Sequence, residues 1–368
     1  TNKGYRDGMI IKYNAAGEVE WAEGIRGSDY DYIESVSETS DGGCIVGGYF
    51  KSSRIDLGNG ISLTNKGYRD GMIIKYNAAG EVEWAEGIRG SDYDYIESVS
   101  ETSDGGCIVG GYFKSSRIDL GNGISLTNKG YRDGMIIKYN AAGEVEWAEG
   151  IGGTSGDSIN SVSETQDGGY IVGGYFKSSR IDLGNGISLT NKGNDDGMII
   201  KYNAAGEVEW AEGIGGSGND QINIVASTSD GCYIVGGNFS SSSINLDNGK
   251  KLTNNGNYDG MVLKIIDQVG VPEVQELEVA NNRKEFKITT DIKEIDNIKG
   301  GSISGEDKNP YEKVKYGDNS TKEIKMIPDE NYEIIRITVN GEDYNFTANE
   351  DGSYTMPAFT NMTEDKHI

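Results

Sequence analysis

One histidine, three cysteines and four prolines are all that 368 residues contain of these types, and each scarcity excludes something. The histidine is His367, close to the far end, so a catalytic thiol elsewhere has no imidazole partner within its own repeat. An odd, small number of cysteines builds no disulfide framework. Cys44 and Cys107 occupy the same position of successive repeats, where Tyr170 and Tyr233 stand later, so they read as interchangeable strand residues. Basic residues are also short: 34 against 59 acidic, a net charge of −25. Phosphate binding needs clustered Lys and Arg, so nucleic acid is excluded as a partner, and anionic lipid with it. No apolar run is long enough to span a membrane. No signal peptide, sorting motif or initiator Met is present, and Thr1 falls inside a repeat, so the expectation is a piece of a longer protein.

What is abundant is glycine, 55 residues, set among alternating Tyr, Ile and Val. That mixture points to many short strands joined by tight turns. Thr-Asn-Lys-Gly recurs at Thr1, Thr64, Thr127 and Thr190, with a decayed Thr-Asn-Asn-Gly at Thr253. Residues 1–63 and 64–126 are identical, and the third copy differs from the second at eight positions. Identity without drift points to recent duplication.

One copy reads as four strands. Gly8 to Tyr13 is the first, and Asn14 to Gly17 a turn. Glu18 to Ala22 alternates polar and apolar, as a half-buried strand does. Ile33 to Thr39 is the third. Ser40-Asp41-Gly42-Gly43 is a hairpin turn, and Cys44 to Phe50 is the fourth strand. Gly47-Gly48 inside that strand implies a backbone that another element approaches closely. Arg54 to Leu63 is a further small hairpin, expected to extend the fourth strand outward and return into the next copy. Helical periodicity is absent. The fold class expected is all-β: tandem four-stranded antiparallel blades, a β-propeller or propeller fragment, with a small C-terminal β domain. Strand one occurs five times and the others four, so the last copy either completes the last blade or leaves a strand spare.

These blades resemble the extracellular bacterial propeller repeats of the SBBP kind. The matching residues run from Asp196 through Lys201-Tyr202, Asn203 to Gly206, Trp210-Ala211 to Gly216, and Asp230 to Gly236, with Ile181 to Gly186 as the last element. The resemblance implies a blade, and says little about function.

All four prolines, Pro272, Pro310, Pro328 and Pro357, follow the repeats. That shift divides the chain into residues 1–267 and 268–368. Alternating runs such as Glu285 to Thr289, Lys322 to Met326 and Glu333 to Val339 predict a small antiparallel β domain. It resembles the divergent InlB-type B-repeat of Gram-positive surface proteins, through Gly300 to Ile303, Met326 to Tyr332, Ile337 to Gly341, Tyr354 to Pro357 and Met362 to Ile368. The resemblance implies a truncated stalk or spacer, and an extracellular, surface-displayed or secreted setting.

Candidate chemistry is thin. The acid pairs Asp29/Asp31 and Asp92/Asp94 read as solvated loop residues, since the third copy keeps Asp157 but has Ser155 for the other acid. Calcium takes clustered Asp, Asn and carbonyl oxygens. Asp56/Asn59, Asp119/Asn122 and Asp182/Asn185 offer that chemistry, although Asp-x-Gly-Asn-Gly is equally a hairpin turn. Trp21, Trp84, Trp147 and Trp210 share one strand position and are expected to pack between blades. The variation is more telling. Six of the eight changes between copies two and three fall at the positions of Arg26 to Glu34. A variable loop on a preserved scaffold suits recognition. Arg26, Asp29, Tyr30, Asp31 and Tyr32, with Arg89, Asp92, Tyr93, Asp94 and Tyr95, are the candidate contacts. No catalytic residue and no cofactor is expected, with calcium at those six residues left as the weaker alternative to a turn. The reading is a non-catalytic surface binding or adhesion module for a glycan or protein. The alternative is a structural spacer or filament-forming repeat.

Overall fold

The computed structural model describes residues 3–246, 249–268 and 271–277, and beyond them eight short strands. It forms two units, Thr1–Val279 and Ala280–Ile368.

In the first unit the strands of one copy are β1 (Gly8–Tyr13), β2 (Val19–Ile25), β3 (Asp31–Glu38), β4 (Cys44–Phe50), β5 (Arg54–Gly58) and β6 (Ile61–Thr64). The next copy begins with β7 (Asp70–Tyr76) and β8 (Val82–Ile88), followed by β9 (Asp94–Glu101) and β10 (Cys107–Phe113). The blades are four-stranded and antiparallel, but each straddles two copies. The order β3-β4-β7-β8 joins the last two main strands of one repeat to the first two of the next. Cys44 lies opposite Tyr76 and Phe50 opposite Asp70. The same sheet forms three more times. In the last, Asp259–Gln268 pairs with Val271–Leu277, so the final blade draws its outer strand from beyond residue 267. β1 and β2 form a two-stranded sheet.

The small hairpin does not extend the fourth strand. β5 and β6 make a separate two-stranded ladder. Ile55 and Leu63, both fully buried, pin it to the core beside Phe50 and Ile25. Gly58, Asn59 and Gly60 turn it with φ of 84°, 51° and 81°, which the two glycines adopt without strain.

Successive sheets stack face to face. Ile45 and Ile73 of one blade pack with Ile96, Val99 and Val109 of the next. The approach is close because strand four carries glycine: a Cβ on Gly47 would meet Val99 Cγ1 at 2.5 Å and Ile96 Cγ2 at 2.6 Å. Three indoles stack on a tyrosine of the following sheet, among them Trp21 on Tyr76 at 6.1 Å and Trp84 on Tyr139 at 6.2 Å, and Trp210 tilts against Tyr233. The innermost strand of each sheet is an edge, and its amides need partners. Serines of the preceding blade supply them. Ser35 Oγ accepts from Val99 N at 3.1 Å, Ser37 Oγ from Glu101 N at 3.0 Å, and Ser98 Oγ from Val162 N at 3.2 Å. In copy four these serines become Ile224 and Ala226.

A lysine is buried in each inner blade. Lys138 Nζ reaches Asp104 at 2.8 Å, Glu146 at 3.1 Å and Tyr139 O at 2.9 Å, so its three donors are all used. Burial alone would raise the Asp104 carboxyl, but the hydrogen bonds and the charge of Lys138 hold it down at about 2.

In the second unit Glu285–Thr289 pairs antiparallel with Lys313–Lys315, and Ile324–Pro328 lies between Gly301–Ser304 and Tyr354–Met356. One pair is parallel, Ile288 and Thr289 with Lys366 and His367. Residues 329–337, which carry part of the B-repeat resemblance, lie outside the described residues. No described helix is long and apolar enough to cross a membrane.

The stacking generates a prediction. Gly110 repeats the environment of Gly47, with Ile159 Cγ2 and Val162 Cγ1 each 2.6 Å from an added Cβ. Gly110→Ala is expected to lower unfolding free energy by about 1–3 kcal/mol through overpacking. A urea midpoint equal to the parent's sinks this account of the interface.

Candidate functional site

The variable loop sits between β2 and β3, where Arg6 and Tyr30 form a parallel bridge between neighbouring segments. Each repeat thus brings its opening Lys-Gly-Tyr-Arg stretch beside its own loop. Two kinds of group meet there, buried carboxylates below and tyrosines above.

The carboxylates correct an expectation. Asp31 and Asp94 are fully buried rather than solvated. Asp31 Oδ2 accepts from Gly27 N at 3.0 Å and Ser52 Oγ at 2.7 Å, and Oδ1 accepts from Ser52 N at 3.2 Å. Asp94 Oδ2 accepts from Ser115 Oγ at 2.7 Å, and Asp157 repeats the pattern with Ser178 and Gly153. These aspartates tie the loop to the turn after β4, so they are spent on structure. That is why Asp157 persists in copy three when its neighbours change. Asp29 and Asp92 stay partly exposed, paired with Lys51 at 3.1 Å and Lys114 at 3.8 Å.

A second buried carboxylate faces each of these. Asp70, Asp133 and Asp196 are fully buried, and their Oδ1 atoms have no hydrogen-bond partner. Lys66 N and Lys129 N satisfy only Oδ2, at 2.7 and 2.8 Å. Burial, reinforced by the neighbouring Asp94 or Asp157, pushes Asp70 and Asp133 up to about 6, and burial pushes Asp94 up to about 6 as well. Arg89, beside Asp70, has a buried Nε without a hydrogen-bond partner, whereas Arg26 is exposed.

The tyrosines form a ladder. Tyr5 stacks on Tyr30 at 5.3 Å with planes 5° apart, and Tyr30 leads to Tyr32 at 6.4 Å. Tyr32 continues to Tyr49 at 4.9 Å, Tyr49 crosses to Tyr95 of the next blade at 4.2 Å, and Tyr95 reaches Tyr112 at 4.8 Å. A branch runs from Tyr95 through Tyr93 to Tyr68. Arginines fill the rungs. Arg69 lies 5.1 Å from the Tyr49 ring and 5.8 Å from Tyr93, and donates to Tyr95 OH. Arg132 lies 4.5 Å from Tyr112 and donates to Tyr175 OH. Such cation–ring contacts are each worth about 0.5–2 kcal/mol, so the ladder is a stiff surface.

Tyr30, Tyr32, Tyr93 and Tyr95 therefore come together as one feature, although Tyr95 is largely buried as an inner rung. Arg6, Arg69, Arg132, Tyr5, Tyr68 and Tyr131 belong with them and were not singled out from sequence. The signal was available: Lys-Gly-Tyr-Arg at Lys3, Lys66 and Lys129 becomes Lys-Gly-Asn-Asp at Lys192, so this stretch also varies, one copy after the loop does.

The structure uses all six calcium candidates as turn residues, the alternative that their sequence pattern also offers. Asp56 Oδ1 accepts from Gly58 N at 3.1 Å, as Asp119 does from Gly121 and Asp182 from Gly184. Asn59, Asn122 and Asn185 stand at the left-handed corner of the same three turns, with φ of 51°, 52° and 51°. Asparagine tolerates that backbone better than most residues, which accounts for its place there without a metal. All six side chains are exposed. Asp182 and Asn185 border a cleft of about 350 Å³ with Lys129, Glu149 and Glu207. No group of three or more His, Cys, Asp or Glu among the described residues is arranged to hold a metal.

No family model matches the chain. An uncharacterized WD repeat-containing protein, L264 of Acanthamoeba polyphaga mimivirus, is 24% identical over 326 residues, 78% of this chain and 23% of its own length. The regulatory protein FlaEY of Caulobacter vibrioides is 27% identical over 111 residues, 30% of this chain and 12% of its own. The chain thus spans less than a quarter of either relative. Among solved structures, a Bacteroides caccae protein of unknown function aligns over 89% of this chain and 80% of its own at 10% identity and a TM-score of 0.35. Sqt1 from Chaetomium thermophilum aligns over 76% and 65% at 8% identity and a TM-score of 0.34. The four-stranded blades and the WD-repeat relative describe a propeller-like tandem-blade repeat protein.

Metal and pH dependence are both open to test. Because the candidate calcium ligands close their own turns, a chelator should leave the melting temperature unchanged, and a downward shift would restore calcium. The pH dependence follows from the carboxylates. Asp70, Asp94 and Asp133 rise from 3.8 to about 6, so their contribution is complete below 3.8 and is lost as pH climbs through 6. Asp41, Asp104 and Asp167 fall to about 2, so theirs holds above 3.8 and is lost as pH drops through 2. The urea midpoint is expected to be higher at about pH 4 than at pH 7, and Asp133→Asn to narrow the gap. A midpoint that rises over that interval, or a gap Asp133→Asn leaves untouched, contradicts the assignment.

Proposed function

We propose that the chain is a non-catalytic binding module displayed at a bacterial surface or secreted, and that the tyrosine–arginine edge is its recognition face. The observation that carries this is the pattern of change among copies. Copies two and three share every buried strand residue except at Cys107/Tyr170 and at the inner rung Tyr95/Ser158, while six of their eight differences alter ladder and loop side chains. Copy three still builds β-strand Asp157–Glu164 with the register of β3, so those side chains are dispensable for folding. Side chains unnecessary to a scaffold, stacked into a stiff aromatic surface, suit recognition. The extracellular setting rests on the resemblance to SBBP-type blades and B-repeats. A non-catalytic role is supported by the lack of histidine in the repeats and by the structural use of Asp31 and Asp94.

The test uses the third copy as a donor. Arg26→Gly, Ser28→Thr, Asp29→Ser, Tyr30→Gly, Tyr32→Ser and Glu34→Asn, with the same six changes in copy two, should leave the fold intact. Binding to a glycan and host-matrix protein array is expected to disappear. A parent chain that binds nothing on the array, or a variant that binds as the parent does, favours the spacer reading.

A further inference from the structure

The recognition edge is periodic, and we infer that its ligand is periodic too: a linear anionic polysaccharide carrying carboxylates on alternate sugars, laid across successive blades. This rests on the reading of the ladder as a recognition face and names what it takes.

Three observations converge. The first is register. Tyr5, Tyr68 and Tyr131 occupy one position of three successive copies and are 74%, 62% and 64% exposed. Two of them rest flat on a second ring, Tyr5 on Tyr30 and Tyr68 on Tyr93, each pair within 5° of parallel. A flat ring held from behind offers its free face to the hydrogen-bearing face of a sugar. The rings fall at one register position and so recur once per copy, as the units of a sugar polymer recur along its length.

The second is charge. Acidic residues outnumber basic ones 59 to 34 in the whole chain, yet this edge reverses the balance. In copy one Lys3, Arg6, Arg26 and Lys51 stand against Asp7, Asp29 and Glu34, since Asp31 is buried and hydrogen-bonded. Copy two repeats the set with Lys66, Arg69, Arg89 and Lys114 against Asp70, Asp92 and Glu97. The lysines lie over ring faces, Lys51 at 5.4 Å from Tyr30 and Lys114 at 4.9 Å from Tyr131, where they flank whatever stacks there. A modest excess of cations on a strongly acidic protein suits a sparsely charged polymer. A nucleic acid, with a phosphate at every residue, would be repelled by the remainder of the chain.

The third is decay. Copy four has Asn194 and Asp195 in place of the tyrosine and arginine, Gly215 in place of Arg26, and Ser240 in place of Lys51. The Arg26 position is already Gly152 in copy three, and the ring, the arginine and the lysine that remain there, Tyr131, Arg132 and Lys177, go together in copy four while the blade itself persists. An exposed ring and two cations that disappear in one copy served one ligand.

The experiment is a titration of the full 368-residue chain with hyaluronan, with neutral dextran and oligo-dT as controls, at low and high salt. Hyaluronan should bind at low salt, weaken as salt rises, and bind roughly tenfold or more tighter than dextran. Tyr5→Ala with Tyr68→Ala should weaken it roughly tenfold while leaving the melting temperature in place, because both rings are exposed. Lys51→Ala with Lys114→Ala should flatten the salt dependence. Absence of hyaluronan binding, equal binding of dextran, or tighter binding of oligo-dT overturns the inference. If hyaluronan fails while the copy-three loop graft still abolishes binding to an array protein, the recognition face stands and only its ligand class falls.

Discussion

The side chains of Ile96 and Val99 reach so far into the preceding sheet that a methyl group on Gly47 would stand 2.5–2.6 Å from them. Everything else depends on that approach. A four-stranded sheet with apolar residues on both faces cannot persist alone in water, so each blade is stable only between neighbours. The contact is dry and aliphatic in its middle, with Ile45, Ile73 and Val109 buried. At its inner rim it is polar, where serine hydroxyls satisfy the edge amides of the next sheet. Substitution there must be matched on two blades at once. That explains why the interface residues of copies two and three stay constant, Cys107 to Tyr170 apart, while the loop above them varies.

Because blades straddle repeats, a copy is not a folding unit. Half of each sheet comes from one repeat and half from the next. The buried lysine illustrates the consequence: Lys138 of one copy is neutralised by Asp104 of the copy before it and Glu146 of its own. Removing either carboxylate would leave a nearly buried ammonium short of a partner, which is costlier than losing an exposed pair. The ion pair is therefore a register device, locking the copies at one offset.

Much of this was legible in the sequence. The strand limits followed from alternation and from the Asp-Gly and Asn-x-x-Gly turns, and the close approach at Gly47 followed from the glycine pair. Strand order between copies was not legible, because identical repeats offer identical partners: β4 pairs equally well on paper with β1 of its own copy or of the next. Asp31 was misread for a related reason. Its neighbours Asp29, Tyr30 and Tyr32 are loop-like, and only the fold shows Ser52, twenty-one residues on, folding back to bury it. The Asp119 and Asn122 pair, with its two counterparts, was ambiguous for a local reason. The residue types that favour a left-handed turn are also those that ligate calcium, and only the geometry shows the carboxylate closing the turn. Tyr5 and Arg6 were overlooked because they lie far in sequence from the variable loop that they join in space.

The loop and the scaffold obey different constraints, and the chain keeps them apart. Below, Asp31, Ser52 and the amide of Gly27 form a closed set of hydrogen bonds that copy three preserves with Asp157, Ser178 and Gly153. Above, the tyrosines hold one another and the arginines through ring contacts that copy three largely abandons, with no change in strand register. A feature needed for stability would not be given up in copies three and four, whose strands keep the register of β3 and β4. The ladder also has a direction: it is continuous from Tyr5 to Tyr112 and thins at Gly156 and Ser158, where the stacking partners are missing. A surface that spans two blades and then stops has the extent of a binding site, because a structural seam would run as far as the blades do.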